Sequence, residues 1–195
     1  MDNKNTKEVT IKSYCDYVAT ITDKNNVHKK YHDQAYGFPI LDDNELFGRL
    51  ILEINQAGLS WNTILNKEEN FRKAYSNFNI AKVAKYKEKD TARLLNDVGI
   101  IRNRLKVKAA INNAKVILSL QKEHGSFLNW LKKNSHLEKG EWTKLFKKTF
   151  TFTGGEIVNE FLMSIGYLRG AHTEGCPTYK KVLRSKPVWI QSKYS

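Results

Sequence analysis

The chain has 195 residues, 41% of them hydrophobic and 27% charged, a globular composition rather than a disordered one, and it reads as one domain over residues 1–195. Its formal net charge is +13, from 33 Lys and Arg against 20 Asp and Glu, which points to a polyanionic partner such as nucleic acid, to an acidic membrane surface, or to a generally solvated basic protein. No run of about 18 apolar residues exists, which excludes a membrane-spanning helix, and Met1 to Lys12 has no apolar signal core, so the expected location is the cytoplasm.

Met1 to Lys12 reads as an extended lead-in, and Tyr14 to Tyr36 as an irregular segment dense in aromatic and metal-capable side chains: Cys15, Tyr17, His28, Tyr31, His32 and Tyr36. Asp42 or Asp43 then caps a helix from about Asn44 to Ala57, in which Leu46, Phe47, Leu50, Ile51 and Ile54 recur at helical spacing. Glu53 and Gln56 lie three apart beside that stripe and share a face. A carboxylate against Leu and Ile is costly unless it has a partner or a ligand. Trp61 follows beyond the turn at Gly58. By periodicity alone this is either a core helix with Glu53 at its rim or the wall of a site for a flat, polar-edged ligand.

Asn62 to Phe78 reads as a second helix, and Asn79 caps a short one carrying Ile80, Val83 and Ala84. The next helix opens at Lys89-Asp90-Thr91 and breaks at Asp97-Val98-Gly99, before a long helix from about Arg102 to Lys122. Gly125-Ser126 starts a helix with Phe127, Leu128, Trp130 and Leu131; Trp142 to Phe146 and Ile157 to Ile165 make two more, the latter ended by Gly166. The tail, residues 181–195, is basic and at most partly ordered. No strand series is convincing, so the fold is read as all-α.

Two constellations carry chemistry. The break at Gly99, with Ile100 after it and Arg102, Arg104, Lys106 and Lys108 opening the next helix, has the form of a helix–hairpin–helix turn. Such a turn binds a DNA phosphate through backbone N–H groups, with the cations adding contacts to the strand. An ordinary helix–helix connection has the same outline. His172 and Cys176 are four apart and can reach one ion; Cys15 and His32 would complete a Cys2His2 set suited to tetrahedral zinc. Four unrelated residues are the alternative, and a disulfide is not expected of cysteines in a reducing compartment.

The segments Tyr31-His32-Asp33, Tyr36-Gly37-Phe38-Pro39, Leu52-Glu53, Gln56-Ala57-Gly58-Leu59-Ser60-Trp61, Gly99-Ile100-Ile101-Arg102 and Phe150-Thr151-Phe152-Thr153-Gly154, with His172 and Cys176, run in the order found in one family. Over residues 14–180 the chain resembles bacterial 3-methyladenine DNA glycosylases of the constitutive type. The resemblance implies an all-α helix–hairpin–helix fold with its termini clipped by one structural zinc ion on Cys15, His32, His172 and Cys176. It implies a monofunctional N-glycosylase that excises 3-methyladenine, or related alkylated bases, from double-stranded DNA and releases the free methylated base, with no membrane partner and as a monomer. Glu53 falls on the family's recognition carboxylate, Trp61 on its stacking indole, Tyr31 on a pocket tyrosine and Gln56 on a motif amide. Tyr17, His28 and Tyr36 stand where the family has an indole, a tyrosine and a tryptophan, so they would line the base pocket in altered form. Gly99, Ile100, Arg102 and Arg104 would contact DNA. These pocket departures leave a second reading, a protein of the same fold that binds damaged DNA without catalysis or with altered specificity.

Overall fold

The computed structural model describes residues 11–191, and among these there are helices and no strand. In chain order the helices are α1 (Tyr14–Ala19), α2 (Val27–Gln34), α3 (Asp43–Gln56), α4 (Trp61–Leu65), α5 (Glu68–Ala74), α6 (Ile80–Val83), α7 (Glu88–Asn96), α8 (Arg104–His124), α9 (Phe127–Lys133), α10 (Lys139–Thr149), α11 (Gly155–Ser164), α12 (Pro177–Arg184) and α13 (Val188–Gln191). None of them is long and apolar enough to cross a membrane.

The axis of the fold is α3. Every residue from Leu46 to Asn55 is buried, because α4, α5, α6, α8, α9 and α11 all pack around it. A helix hidden on every side needs its ends satisfied without water. At the start, the Asp42 carboxylate accepts from the Glu45 backbone N–H. The Asp43 carboxylate turns outward and accepts from the N–H groups of Phe127 and Leu128 (2.8 and 2.9 Å) and from Gln121 Nε2. It thereby ties the first turn of α9 to the first turn of α3. At the other end, Lys106 of α8 is buried, and its Nζ donates to the carbonyls of Asn55 (2.8 Å) and Ala57 (2.7 Å). Those carbonyls belong to the last turn of α3, where no intrahelical donor remains.

Close approach fixes the middle of the helix. Ser76, Asn77 and Phe78 all have positive φ, near 55°, and form a left-handed turn, a conformation that costs about 1–2 kcal/mol per residue in L-amino acids. The turn drives the fully buried Phe78 ring against Gly48, and the Arg72 guanidinium covers the ring at 4.8 Å from its centroid. Burial of a phenyl ring, about 1.5–3 kcal/mol, helps offset the backbone strain. On the far side of α3 the core is aromatic: Phe127, Trp130, Trp142, Phe146, Phe150 and Phe161 meet ring to ring at centroid separations such as 5.1 Å for Phe146–Phe150 and 5.7 Å for Trp130–Phe150.

Four sequence-based boundaries change. Tyr14 to Tyr36 is two helices, α1 and α2, capped by Ser13 and Asn26, whose side chains accept from Asp16 N and His28 N. Their brevity and mixed polarity hide them from a periodicity reading. Asn62 to Phe78 divides into α4, α5 and the left-handed turn, since a continuous helix would carry Phe78 away from Gly48. The long helix begins at Arg104 with Asn103 as its cap, so Arg102 belongs to the connecting turn. The described part of the basic tail is mostly helical, with α12 opened by Pro177 at its first turn and α13 reaching Gln191. The lead-in before Ile11 and the last residues, 192–195, lie outside the described residues.

A Cβ at position 48 would lie 2.8 Å from Cγ of the buried Phe78 ring. Gly48→Ala is therefore expected to destabilise the fold by about 1–3 kcal/mol, despite the better helix propensity of Ala. Urea unfolding checks this; an equal or raised midpoint would contradict the tight approach.

Candidate active site

The last turn of α3, the start of α4, and helices α1, α2 and α11 enclose a cavity of about 240 Å3, lined by Tyr14, Tyr31, Tyr36, Glu53, Gln56, Trp61 and Glu160. Four aromatic rings form its walls. Tyr31 meets Trp61 edge-on at 5.1 Å, and Tyr36 packs at 5.4 Å from Tyr31 and 5.7 Å from Tyr14. The local sequence explains how Trp61 arrives there. Gly58, at φ +80°, turns the chain sharply after α3, and Ser60 caps α4 by accepting from Thr63 N, so Trp61 is its first helical residue rather than a loop residue. Gln56 Nε2 donates to the carbonyl of Leu59 and braces the same turn.

Glu53 is 4% exposed. Burial pushes its carboxyl up to about 8 from an ordinary value of 4.5; the Arg49 guanidinium pulls it down in part and Glu160 adds to the rise. Its carboxylate accepts no hydrogen bond from the described residues, so what meets it is the cavity. Arg49, one turn earlier on α3, is itself buried; it donates to the Tyr31 hydroxyl at 2.6 Å and lies 4.7 Å from that ring's centroid. The Tyr36 hydroxyl donates to Glu160 Oε2 at 3.1 Å, and burial raises the Glu160 carboxyl too.

The structure brings Tyr31, Tyr36, Glu53, Gln56 and Trp61 to one cavity, and leaves Tyr17 and His28 outside its lining. Tyr17 is 37% exposed and stacks on the outer side of Tyr14, at 6.2 Å. His28 is buried behind Tyr14, whose hydroxyl is hydrogen-bonded to His28 Nδ1 at 3.0 Å. Tyr14 takes the place in the wall that the sequence reading gave to Tyr17: the two lie three apart on one face of α1 and stack, and Tyr14 stands on the cavity side of the pair. Tyr14, Arg49 and Glu160 were not anticipated. A usable signal existed for the last, since Glu160 interrupts the apolar run from Ile157 to Ile165 much as Glu53 interrupts that of α3.

Behind the aromatic wall, Cys15, His32, His172 and Cys176 are all buried and offer donor atoms that lie within 4.8 Å of one another. His32 Nε2 is 3.4 Å from Cys15 Sγ and 3.6 Å from Cys176 Sγ; His172 Nδ1 is 3.2 Å from His32 Nε2, 3.7 Å from Cys15 Sγ and 3.8 Å from Cys176 Sγ. The outer ring nitrogens are engaged as well: His32 Nδ1 donates to Asp33 Oδ1 and His172 Nε2 to the carbonyl of Tyr36, each at 2.7 Å. This fixes which nitrogen of each imidazole points inward, and four such donors can hold one metal ion.

The turn between α7 and α8 is held from both sides. The Asp97 carboxylate accepts from Gly99 N at 2.7 Å, and Lys67 Nζ donates to the carbonyls of Val98 and Gly99. Ile100 is buried, so only its backbone can face outward, while Arg102 and Arg104 are exposed. Lys106, which the sequence reading grouped with the outward cations, faces the core instead.

An all-helical chain with a buried carboxylate facing an aromatic-walled cavity is built as the compact DNA glycosylases are, which hold one extruded base. The chain belongs to the methyladenine glycosylase family, whose profile matches residues 21–144. DNA-3-methyladenine glycosylase 1 of Escherichia coli (strain K12) is 34% identical over 168 residues, covering 76% of this chain and 89% of the relative. The DNA-3-methyladenine glycosylase of Haemophilus influenzae is 32% identical over 171 residues, covering 78% and 92%. Among solved structures, 3-methyladenine DNA glycosylase I from Staphylococcus aureus, described for its recognition of 3-methyladenine, superposes with a TM-score of 0.73 at 31% identity, over 80% of this chain and 93% of that one.

The folded state keeps a proton on Glu53 that the unfolded chain has released. That contribution to stability is complete below 4.5 and is lost as the pH rises through about 8. Glu53→Gln carries no such proton. The variant is expected to exceed the wild type in stability by about 2–4 kcal/mol near pH 9, with the difference shrinking on acidification. Urea unfolding at several pH values checks this, and a difference independent of pH would contradict it.

Proposed function

We propose that this chain is a DNA-3-methyladenine glycosylase that hydrolyses the N-glycosidic bond of the methylated base in alkylated DNA, the first step of its repair. The observation that carries the reading is Glu53, a buried carboxylate without a hydrogen bond from the described residues, facing a cavity walled by Tyr14, Tyr31, Tyr36 and Trp61. Relatives that share the fold bear that activity in their names.

The base enters after the nucleotide is extruded from the duplex, which costs least at an unstable lesion. Methylation makes the attached base cationic. The aromatic faces attract a cation, and Glu53 accepts a hydrogen bond from the exocyclic amine. A positively charged base favours the carboxylate and displaces the proton that burial keeps there. The bond from the sugar C1′ to the base nitrogen breaks, its electron pair leaves with the base, and the base becomes neutral. Water adds to C1′ and gives its proton to solvent. The cavity lining contains no lysine, which supports a monofunctional enzyme without a Schiff-base intermediate.

Gly99, Ile100, Arg102 and Arg104 serve the DNA strand: the turn offers backbone N–H groups and the exposed arginines offer charge to phosphates. The Cys15, His32, His172 and Cys176 set holds a structural zinc ion. Tetrahedral zinc with metal–sulfur about 2.3 Å and metal–nitrogen about 2.0–2.1 Å puts neighbouring donors about 3.3–3.8 Å apart; the separations that involve a histidine run from 3.2 to 3.8 Å, and all four donors lie within 4.8 Å of one another. Four protein ligands leave no open position for catalysis, so the ion would join residues near the two ends of the chain and add its binding energy to the fold.

Release of free 3-methyladenine from methylated DNA tests the function. Glu53→Gln is expected to lower kcat/KM by about 10–100-fold, the worth of hydrogen bonds to a charged group. A wild type that binds DNA and frees no base from any alkylated substrate would overturn the proposal. For the metal, elemental analysis is expected to find one zinc per chain, absent in Cys176→Ala, which would also melt at lower temperature; a metal-free native protein of unchanged stability would refute that assignment.

A further inference from the structure

The cavity holds a second carboxylate that the glycosylase reading leaves without a task. We infer that Glu160, oriented by the Tyr36 hydroxyl, is a second recognition carboxylate that makes the cavity bind a cationic N-alkylated purine in preference to the neutral base it becomes on cleavage. This rests on the glycosylase reading and deepens it.

The geometry is specific. Glu53 projects from α3 and Glu160 from α11, two packed helices, and both line the same cavity. Tyr36 donates to Oε2 of Glu160 at 3.1 Å, which fixes the carboxylate against the aromatic wall and leaves its other oxygen without a described hydrogen-bond partner. Tyr36 is in turn held through its carbonyl, which accepts from His172. With both carboxyls ionised, the charges in the cavity do not balance. Among the described residues Arg49 is the one guanidinium acting on Glu53, and it is committed to Tyr31. The other charged groups acting on Glu160 are Glu156 on its own helix and Lys139 at the start of α10, with opposite effects. Two carboxylates on one cavity wall facing one guanidinium leave room for one further positive charge. Burial raises both carboxyls, as a cavity short of positive charge requires.

A 3-alkylated purine supplies that charge only while it is attached to the sugar. Cleavage sends the bond's electron pair to the base nitrogen and removes the positive charge, so the two carboxylates hold the attached base and lose their electrostatic hold on the product. Binding of this kind is strongest before the bond has broken, and it favours release afterwards.

Two small probes separate the charge states: 3,9-dimethyladeninium, a permanent cation with a methyl group in place of the sugar, and neutral 3-methyladenine. In the full-length, metal-loaded protein, Glu160→Gln is expected to weaken the cation at least about tenfold and the neutral base by less than about threefold. It should also lower kcat/KM for base release from methylated DNA by about tenfold. Tyr36→Phe, which keeps the carboxylate and loses its positioning bond, should move the same ratio in the same direction by about threefold, and it carries the test if Glu160→Gln does not fold. Equal weakening of both probes, or no weakening of the cation, overturns the inference. If the wild type releases base and its probe selectivity is independent of Glu160, this inference falls alone. If selectivity depends on Glu160 but no methylated base is released from DNA, the glycosylase reading falls instead.

Discussion

A carboxylate taken out of water without a hydrogen-bonded partner is among the least favourable groups a fold can contain. Glu53 is such a group, on a helix whose every residue from Leu46 to Asn55 is buried. The surroundings accommodate it without satisfying it: Arg49 lends positive charge from one turn away but gives its hydrogen bond to Tyr31, and burial pushes the carboxyl up to about 8. The fold thus carries a stored demand for a partner with N–H donors or positive charge. A cationic purine meets that demand, and so the site is tied to the chemistry of alkylated DNA.

The rest of the structure keeps this helix end in place. Lys106 donates to the terminal carbonyls of α3, Gln56 braces the turn that follows, and Gly58 lets that turn swing Trp61 over the cavity. The opposite wall depends on the Cys2His2 set. Tyr14 precedes Cys15, Tyr31 precedes His32, and the Tyr36 carbonyl accepts from His172. Three of the four aromatic walls are therefore attached, by one covalent step or one hydrogen bond, to the group that joins distant parts of the chain. A structural metal there would govern the shape of the base cavity without touching the base.

Much of this was legible beforehand, and particular residues show where legibility ended. Glu53 stood out as a charge beside an apolar stripe, though periodicity alone left it open as a rim residue of a core helix, and the Trp61 motif marked the turn. His172 and Cys176 announced themselves by spacing. Tyr17 and His28 misled, since matching positions along a motif says nothing of which member of a stacked pair reaches the cavity; Tyr14 lines the wall and Tyr17 stacks on it from outside. Lys106 read as one more outward cation because its target carbonyls lie some fifty residues earlier, brought near only by packing. Glu160 escaped notice because its significance lies in facing Glu53, on a helix distant in sequence.

The sequence by itself determined the helical class, a cap for α3 at Asp42 or Asp43, a carboxylate beside its apolar stripe and the residue types of the metal-capable set. Periodicity, caps and ligand chemistry are local, and a linear chain displays them. Only the tertiary structure decided which aromatic rings wall the cavity, that α1 and α2 are helices, that Lys106 is internal and that two carboxylates share one space. Those facts depend on the rotation of each helix about its axis and on contacts across the core, and the physical reason they stay hidden is that side-chain direction is set by packing against partners remote in sequence.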